Sequence, residues 1–407
     1  MKRNTRIHLA VIACAAAIHT LAPTTASALD AMTKPPAETR TDQAPATSIH
    51  DFVGYDGGFF LKDRTGDFSL KLNAQGQVLW ALTAAQEEDG REIETALSVP
   101  LARLNFKGNV FSKQITFGFQ TDFGNGNASL KDYYVDFAFI PKVLQLRVGQ
   151  WIRPFSRQQI TPSSKFEFTG RAITDKKFNA GRDIGIALHN DYAKSPVFEW
   201  VIGVFNGTGE KPWFEGEVEL DDAGQPDGVT GKFTNVPDVF DPALVARVGF
   251  NTNKLNGYSE ADLEGGAPRF GMGLNGVVDL DADNSNDGHV RGTIDYMFKA
   301  YGFSSTGAFY AATAQDGLYW KNQGFGALGL HVQAGYVIAQ KVQPVFRYAL
   351  YNASGADNAL HEILGGISCY FRGHNLKWQT EAGGLLQQDG PAAQSDIVVR
   401  SQLQLAF

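Results

Sequence analysis

Residues 153–181 hold the densest candidate chemistry in the chain. Arg153, Arg157, Lys165, Arg171, Lys176 and Lys177 stand against only Glu167 and Asp175, a local excess of four positive charges. Arg182 follows directly. A guanidinium presents a forked pair of donors to an oxyanion, and an ammonium presents a point charge. Held in a narrow, wet space, such groups replace part of an anion's hydration shell and raise its local concentration. The plainer reading is a set of solvated loop charges. Bond-making chemistry has no visible site. None of the eight His stands two residues before a Ser, and G-x-S-x-G, H-E-x-x-H and P-loop patterns are absent. The two Cys, Cys14 and Cys369, cannot form a tetrathiolate metal site. Asp279, Asp281, Asp283 and Asp287 offer the hard oxygens calcium prefers, but the full twelve-residue loop pattern is missing, so they read as solvated acids. No enzyme activity, cofactor or metal is expected.

These charges need elements to position them. The chain has 407 residues, 43 acidic against 36 basic, for a formal net charge of -7. A basic nucleic-acid footprint is therefore missing. Residues 1–28 carry Lys2, Arg3 and Arg6, an apolar stretch and the cleavage pattern Ala26-Ser27-Ala28, and they read as a secretory signal peptide. Residues 29–60 begin rich in Pro, Thr and Ala and read as a flexible lead-in. Beyond the leader no apolar run approaches the ~18–20 residues of a membrane helix. A membrane-embedded form of this chain must then be a closed β-barrel, which satisfies every backbone group without water.

The side-chain pattern from residue 68 onward has period two. Ile115, Phe117 and Phe119 alternate with Gln114, Thr116, Gly118 and Gln120, and Ala102, Leu104 and Phe106 alternate with Arg103, Asn105 and Lys107. Period two means strand, with one apolar and one polar face. Sixteen such segments fall at roughly 68–84, 94–110, 113–122, 129–140, 144–152, 182–190, 197–206, 243–251, 269–281, 288–299, 302–314, 326–340, 342–352, 360–371, 375–387 and 395–407. Most reach the ~9–11 residues of a tilted spanning strand. Connections alternate short and long. The long ones are 85–93, 153–181, 207–242, 315–325 and 388–394, with 252–268 anomalously long for the short side. The expectation is an all-β, sixteen-stranded antiparallel transmembrane barrel over 61–407, with short periplasmic turns and long extracellular loops. A soluble β-sandwich is the alternative.

The stretches DGGFFLKDRTGDFSLKLNAQGQ (56–77) and VGQWIRPFSRQQITPSSKFEFTGRAITDKKFNAGRDIGIAL (148–188) resemble the phosphate-selective porin O and P family. The resemblance implies a trimeric sixteen-stranded barrel in the Gram-negative outer membrane, among its lipid and lipopolysaccharide. It also implies passive uptake of small anions such as phosphate, with the 153–181 segment folded inward as a constriction. By strand parity Arg103, Lys107, Arg147, Arg247, Arg291, Arg347, Lys377 and Arg400 face the lumen, because charge on the lipid face costs about 2–4 kcal/mol at the midplane. Asp122, Asp132, Asp136, Asp279, Asp295 and Glu381 share that face, so balance and selectivity are equally open roles for these cations. The stretch 207–242 carries nine acids against Lys211 and Lys232, a net -7 that opposes anion entry if it overhangs the mouth. A non-conducting barrel acting as a surface receptor or adhesin is the alternative function. The Trp residues, Trp151 among them, read as an interfacial girdle.

Overall fold

The computed structural model describes residues 51–407 apart from 88–89, 210–212, 221–225, 237–239, 241, 281–289, 314–325, 354–358 and 390–391. The expected signal peptide, most of the expected lead-in, and Asp281, Asp283 and Asp287 lie outside the described residues. A short hairpin, β1 (Val53–Tyr55) and β2 (Phe59–Lys62), comes first. The wall begins with β3 (Ser69–Glu87), β4 (Gly90–Asn109), β5 (Ile115–Asp122), β6 (Ser129–Ile140) and β7 (Leu144–Ile152). It continues with β8 (Arg182–His189) and β9 (Phe198–Phe205). A separate hairpin, β10 (Trp213–Leu220) and β11 (Pro226–Thr234), stands off the wall. The wall resumes with β12 (Ala243–Asn251), β13 (Arg269–Asp279), β14 (Val290–Ala300) and β15 (Phe303–Ala312). It ends with β16 (Ala327–Tyr336), β17 (Val342–Ala353), β18 (Ala359–Tyr370), β19 (Leu376–Asp389) and β20 (Ala392–Ala406).

Each wall strand pairs antiparallel with the next, and β9 pairs with β12 across the inserted hairpin. The sheet closes where β20 meets β3, from Ile397 opposite Ala84 to Ala406 opposite Gln75. The result is a closed barrel of sixteen antiparallel strands. Closure matters because an open edge would leave a row of backbone donors and acceptors unsatisfied in hydrocarbon.

Burial is inverted relative to a soluble protein. On β13 Leu274 is 55% exposed on the outside while its neighbour Asn275 is 4% exposed on the inside. Phe270 and Met272 share the outer face with Leu274, and Arg269 faces inward. The same alternation runs through β12, β14, β16 and β17. An apolar exterior over a polar interior is stable in lipid, and two stacked sheets with a dry centre are not what these strands build.

The sixteen expected segments all appear as wall strands. Four details differ. Residues 85–87 and 90–93, expected in a loop, are strand, because β3 runs on to Glu87 and β4 starts at Gly90. Residues 53–60, placed in the lead-in, instead belong to the β1–β2 hairpin, which runs on to Lys62, with β2 pairing Ser69–Leu72 of β3 in line with β20. Trp151, expected at an interface, faces inward and packs on Phe205 with ring centroids 4.8 Å apart. Finally, 252–268 holds no strand, and Leu255, Tyr258, Ser259, Glu260, Ala261 and Asp262 are buried inside the barrel.

Candidate functional site

The bore is occupied unevenly. Segment 153–181 leaves β7, crosses the lumen and returns to β8. Its neck is closed by the Arg153 N–H donating to Gly181 O at 2.9 Å. Ser156 caps a helical turn, Arg157–Ile160, by accepting from the Gln159 N–H at 2.9 Å. A second short helix spans Ile173–Phe178. Between them Phe155 and Phe178 pack with Tyr310 and Tyr351 of the wall. A loop that leaves the wall must satisfy its backbone elsewhere, and here the wall's charged side chains do so.

On the side formed by β9 and β12–β19 those contacts are dense. Asp295 accepts from both the backbone N–H and the Nε of Arg157, each at 3.0 Å. Arg247 bridges Glu199 and Asp295, 2.7 Å from each. Gly273 leaves the space that Arg247 fills, since a Cβ there would lie 2.6 Å from its Nη2. Arg291 donates to Asn179 O at 3.2 Å and to Asp279 at 2.9 Å. Arg347 donates to Gly170 O at 2.8 Å and stacks 4.0 Å over the Phe168 ring. Lys377 donates to Phe166 O at 2.6 Å. Carboxylates complete the set. Glu381 accepts from the Thr169 N–H and hydroxyl at 2.8 Å, and Glu362 accepts from the Ile173 N–H at 3.3 Å.

On the other side, formed by β20 and β3–β8, contacts with the loop are fewer, although Val398 of β20 packs with Phe168 and Gln404 donates to Ser164 O at 3.1 Å. The Arg171 side chain is 26% exposed and pairs with Asp175 at 3.4 Å. Its charge is close enough to Arg182 and Arg103 for both to repel it. Arg103 pairs with Asp122 at 2.8 Å and reaches Ser163 of the loop at 3.4 Å. Arg182 pairs with Asp132 at 2.8 Å. Arg400, 23% exposed in its side chain, pairs with Glu381 at 2.9 Å and repels Lys176 across the gap. Among the described residues no carboxylate comes within 4.0 Å of Lys107, Lys165, Lys176 or Lys177, and Lys177 lies 5.6 Å over the Tyr351 ring.

The cations singled out in the sequence therefore divide. Arg153 is buried and pairs with Asp183 at 3.5 Å, and Arg157 is 1% exposed. Arg247, Arg291, Arg347 and Lys377 are equally buried. These six fasten the loop and have no face free for a solute. Arg147 is tucked into the wall, held by both oxygens of Asp136 at 2.8 and 2.7 Å and lying 4.1 Å over the Tyr134 ring. Lys165, Arg171, Lys176, Lys177, Arg182, Arg103, Lys107 and Arg400 keep some exposure. Lys71, missed in the sequence, lies directly opposite Lys107 in the β3–β4 register. Its alternation with Leu70 and Leu72 was the available signal. Among the described residues no group of His, Cys, Asp or Glu is arranged to hold a metal ion.

Residues 72–246 match the family model described as phosphate-selective porin O and P. An anion-selective porin from Comamonas acidovorans superposes with a TM-score of 0.52 at 13% identity, covering 83% of this chain and 99% of that one. The outer membrane channel DcaP of Acinetobacter baumannii gives a TM-score of 0.53 at 11% identity, covering 85% and 99%. At such identities the likeness is one of fold. No curated protein matches the chain.

Proposed function

We propose that this chain is an outer-membrane porin of the phosphate-selective porin O and P family and that it prefers small anions such as phosphate. The observation that supports the preference is the charge arrangement on the open side of the bore. Arg171 on the loop lies near Arg103 and Arg182 of the wall, Lys176 lies near Arg400 as well as Glu362 and Glu381, and Lys165 lies near Glu264 of segment 252–268. Like charges set across a water-filled gap draw in a counter-ion, which relieves their repulsion. Lys71 and Lys107 continue the positive lining toward the periplasm. Each anion would pass from one weak site to the next, binding well enough to enter and loosely enough to leave. The wall carboxylates Asp122, Asp132 and Glu381 keep the Arg side chains extended and temper the field.

The test is a planar bilayer with a salt gradient across it. The expected result is stepwise current with a reversal potential on the anion side, and inhibition of chloride current by added phosphate. Replacing Lys165, Arg171 and Lys176 by Gln should move the reversal potential toward cations. An unchanged reversal potential removes the site assignment, and an absence of conductance steps favours the receptor or adhesin reading. Assembly as a homotrimer is part of the same proposal, and chemical cross-linking of the detergent-extracted protein checks it.

A further inference from the structure

We propose that segment 252–268 is a second constriction element, a plug inserted from the periplasmic end that closes the bore beneath loop 153–181 and confines conduction to a crescent along β20 and β3–β8. This rests on the channel reading and adds a specificity element to it. A connection between two hairpin strands needs only two residues, and Thr252 already pairs with Phe270, since the Thr252 N–H donates to Phe270 O at 2.8 Å. Of the residues between them, Leu255 and residues 257–262 fold into the lumen, while 253–254 and 266–268 stay exposed.

Their polar groups are matched one by one on both sides of the filled half. Toward β9, Tyr258 donates to Glu199 at 2.9 Å, and the Gly257 N–H donates to Ser195 at 3.0 Å. Toward β14 and β15, Lys299 donates to Asn256 O at 3.1 Å, and Asp262 accepts from the Gly302 N–H at 2.8 Å. Toward β18 and β19, Ser259 lies 3.0 Å from His374, and Ala261 and Leu263 pack on Val337 and Tyr370. Asp262 also pairs with Arg269.

The top of the plug meets the loop directly. Glu260 accepts from the Glu167 N–H at 2.8 Å and from Gln158 at 3.0 Å, and its own N–H donates to Lys165 O at 3.0 Å. Arg157 donates to Gly257 O at 3.1 Å. The two inward folds thus brace each other. Conduction needs a continuous wet path, and a buried side-chain network with satisfied partners is not one. The wall beneath the plug carries Glu199 and Asp295 alongside Arg157 and Arg247, so a path opened there would have a mixed charge and a weaker anion preference.

The experiment replaces residues 253–269 by Asn-Gly, joining Thr252 to Phe270 as a two-residue hairpin. The expected result is a folded barrel whose single-channel conductance rises roughly two-fold, as for two parallel paths in place of one, with the reversal potential moved toward cations. A folded variant with native conductance and selectivity overturns the proposal. Should the shortened chain not fold, full-length variants decide. In a Cys369→Ser background, Ser163→Cys in the crescent should be modified by a charged thiol reagent with loss of current, whereas Ala261→Cys should not react. Equal reaction rates at the two positions overturn the proposal. Native protein with no conductance at all would instead remove the channel reading itself.

Discussion

The two halves of the bore use the same residue types to opposite ends. Along β9 and β12–β19, Arg and Lys are desolvated, paired with carboxylates and spent on carbonyl oxygens of the loop and the plug. Along β20 and β3–β8, Arg103, Arg182 and Arg400 are paired with carboxylates too, but they keep partial exposure and lie near Arg171 and Lys176 of the loop. The difference is one of distance across the lumen. Where the loop touches the wall, a cation becomes a fastener. Where a water-filled gap remains, it becomes part of the field an ion meets. Sequence parity cannot distinguish these fates, because both point inward.

The contrast breaks most violently at its most buried pair. Arg247→Ala leaves the buried Glu199 and Asp295 with Arg157 as their one remaining cation among the described residues, and removing one partner of a buried pair costs about 3–5 kcal/mol. A large drop in the denaturant midpoint is expected. A midpoint near that of the native protein would show the anchored half to be ordinary lumen. The opposite behaviour is expected of Lys165→Gln combined with Lys176→Gln. Stability should stay within ~0.5 kcal/mol of native, while the anion-to-cation permeability ratio falls several-fold in reversal-potential measurements. A fall in stability without a change in ratio would reverse the assignment of the two halves.

The joint between loop and plug sharpens the contrast through pH. Burial, and after it the neighbouring Glu260 carboxylate, pushes Glu167 up to about 7. Hydrogen bonds from Ser304 and Gln343 and the charge of Lys299 only partly offset this. Lys377 and Tyr370 also face this carboxylate. The folded state therefore holds the proton more tightly than the unfolded chain does. Its contribution to stability is fully present below about pH 4.5 and is lost as pH rises through about 7. In Glu167→Gln that part of the slope should vanish, seen as the difference between the two stability-versus-pH curves. The smallest effect belongs to Lys71→Gln with Lys107→Gln at the periplasmic end. Anion preference should fall slightly at low salt and not at all near 1 M, where the screening length is about 3 Å. Relief of the direct Lys71–Lys107 repulsion should leave stability equal or slightly higher.

Much of the wall was legible before any coordinates. The alternation in 114–120 or 101–107 is a local property, set by a backbone that turns each successive Cβ to the opposite face. The excess of charge in 153–181 was legible too, and its cations do enter the lumen. The split within that set was hidden, because Arg157 and Arg171 differ only in what stands opposite. Arg157 meets Asp295 on β14, 138 residues away, and Arg171 meets the open gap. The plug was hidden for a related reason. Segment 252–268 signals only that it is too long for a tight turn, and its inward course depends on partners as distant as His374 and Tyr370.

By itself, the sequence determined sixteen strands, their order and the face most of their side chains take, because those follow from a period of two and from the lengths of the connections. Only the tertiary structure decided which inward cations are buried against the loop and which keep some exposure, and that part of segment 252–268 is buried inside the barrel. Those outcomes depend on distances across the lumen between residues far apart in the chain, and a local pattern carries no record of them.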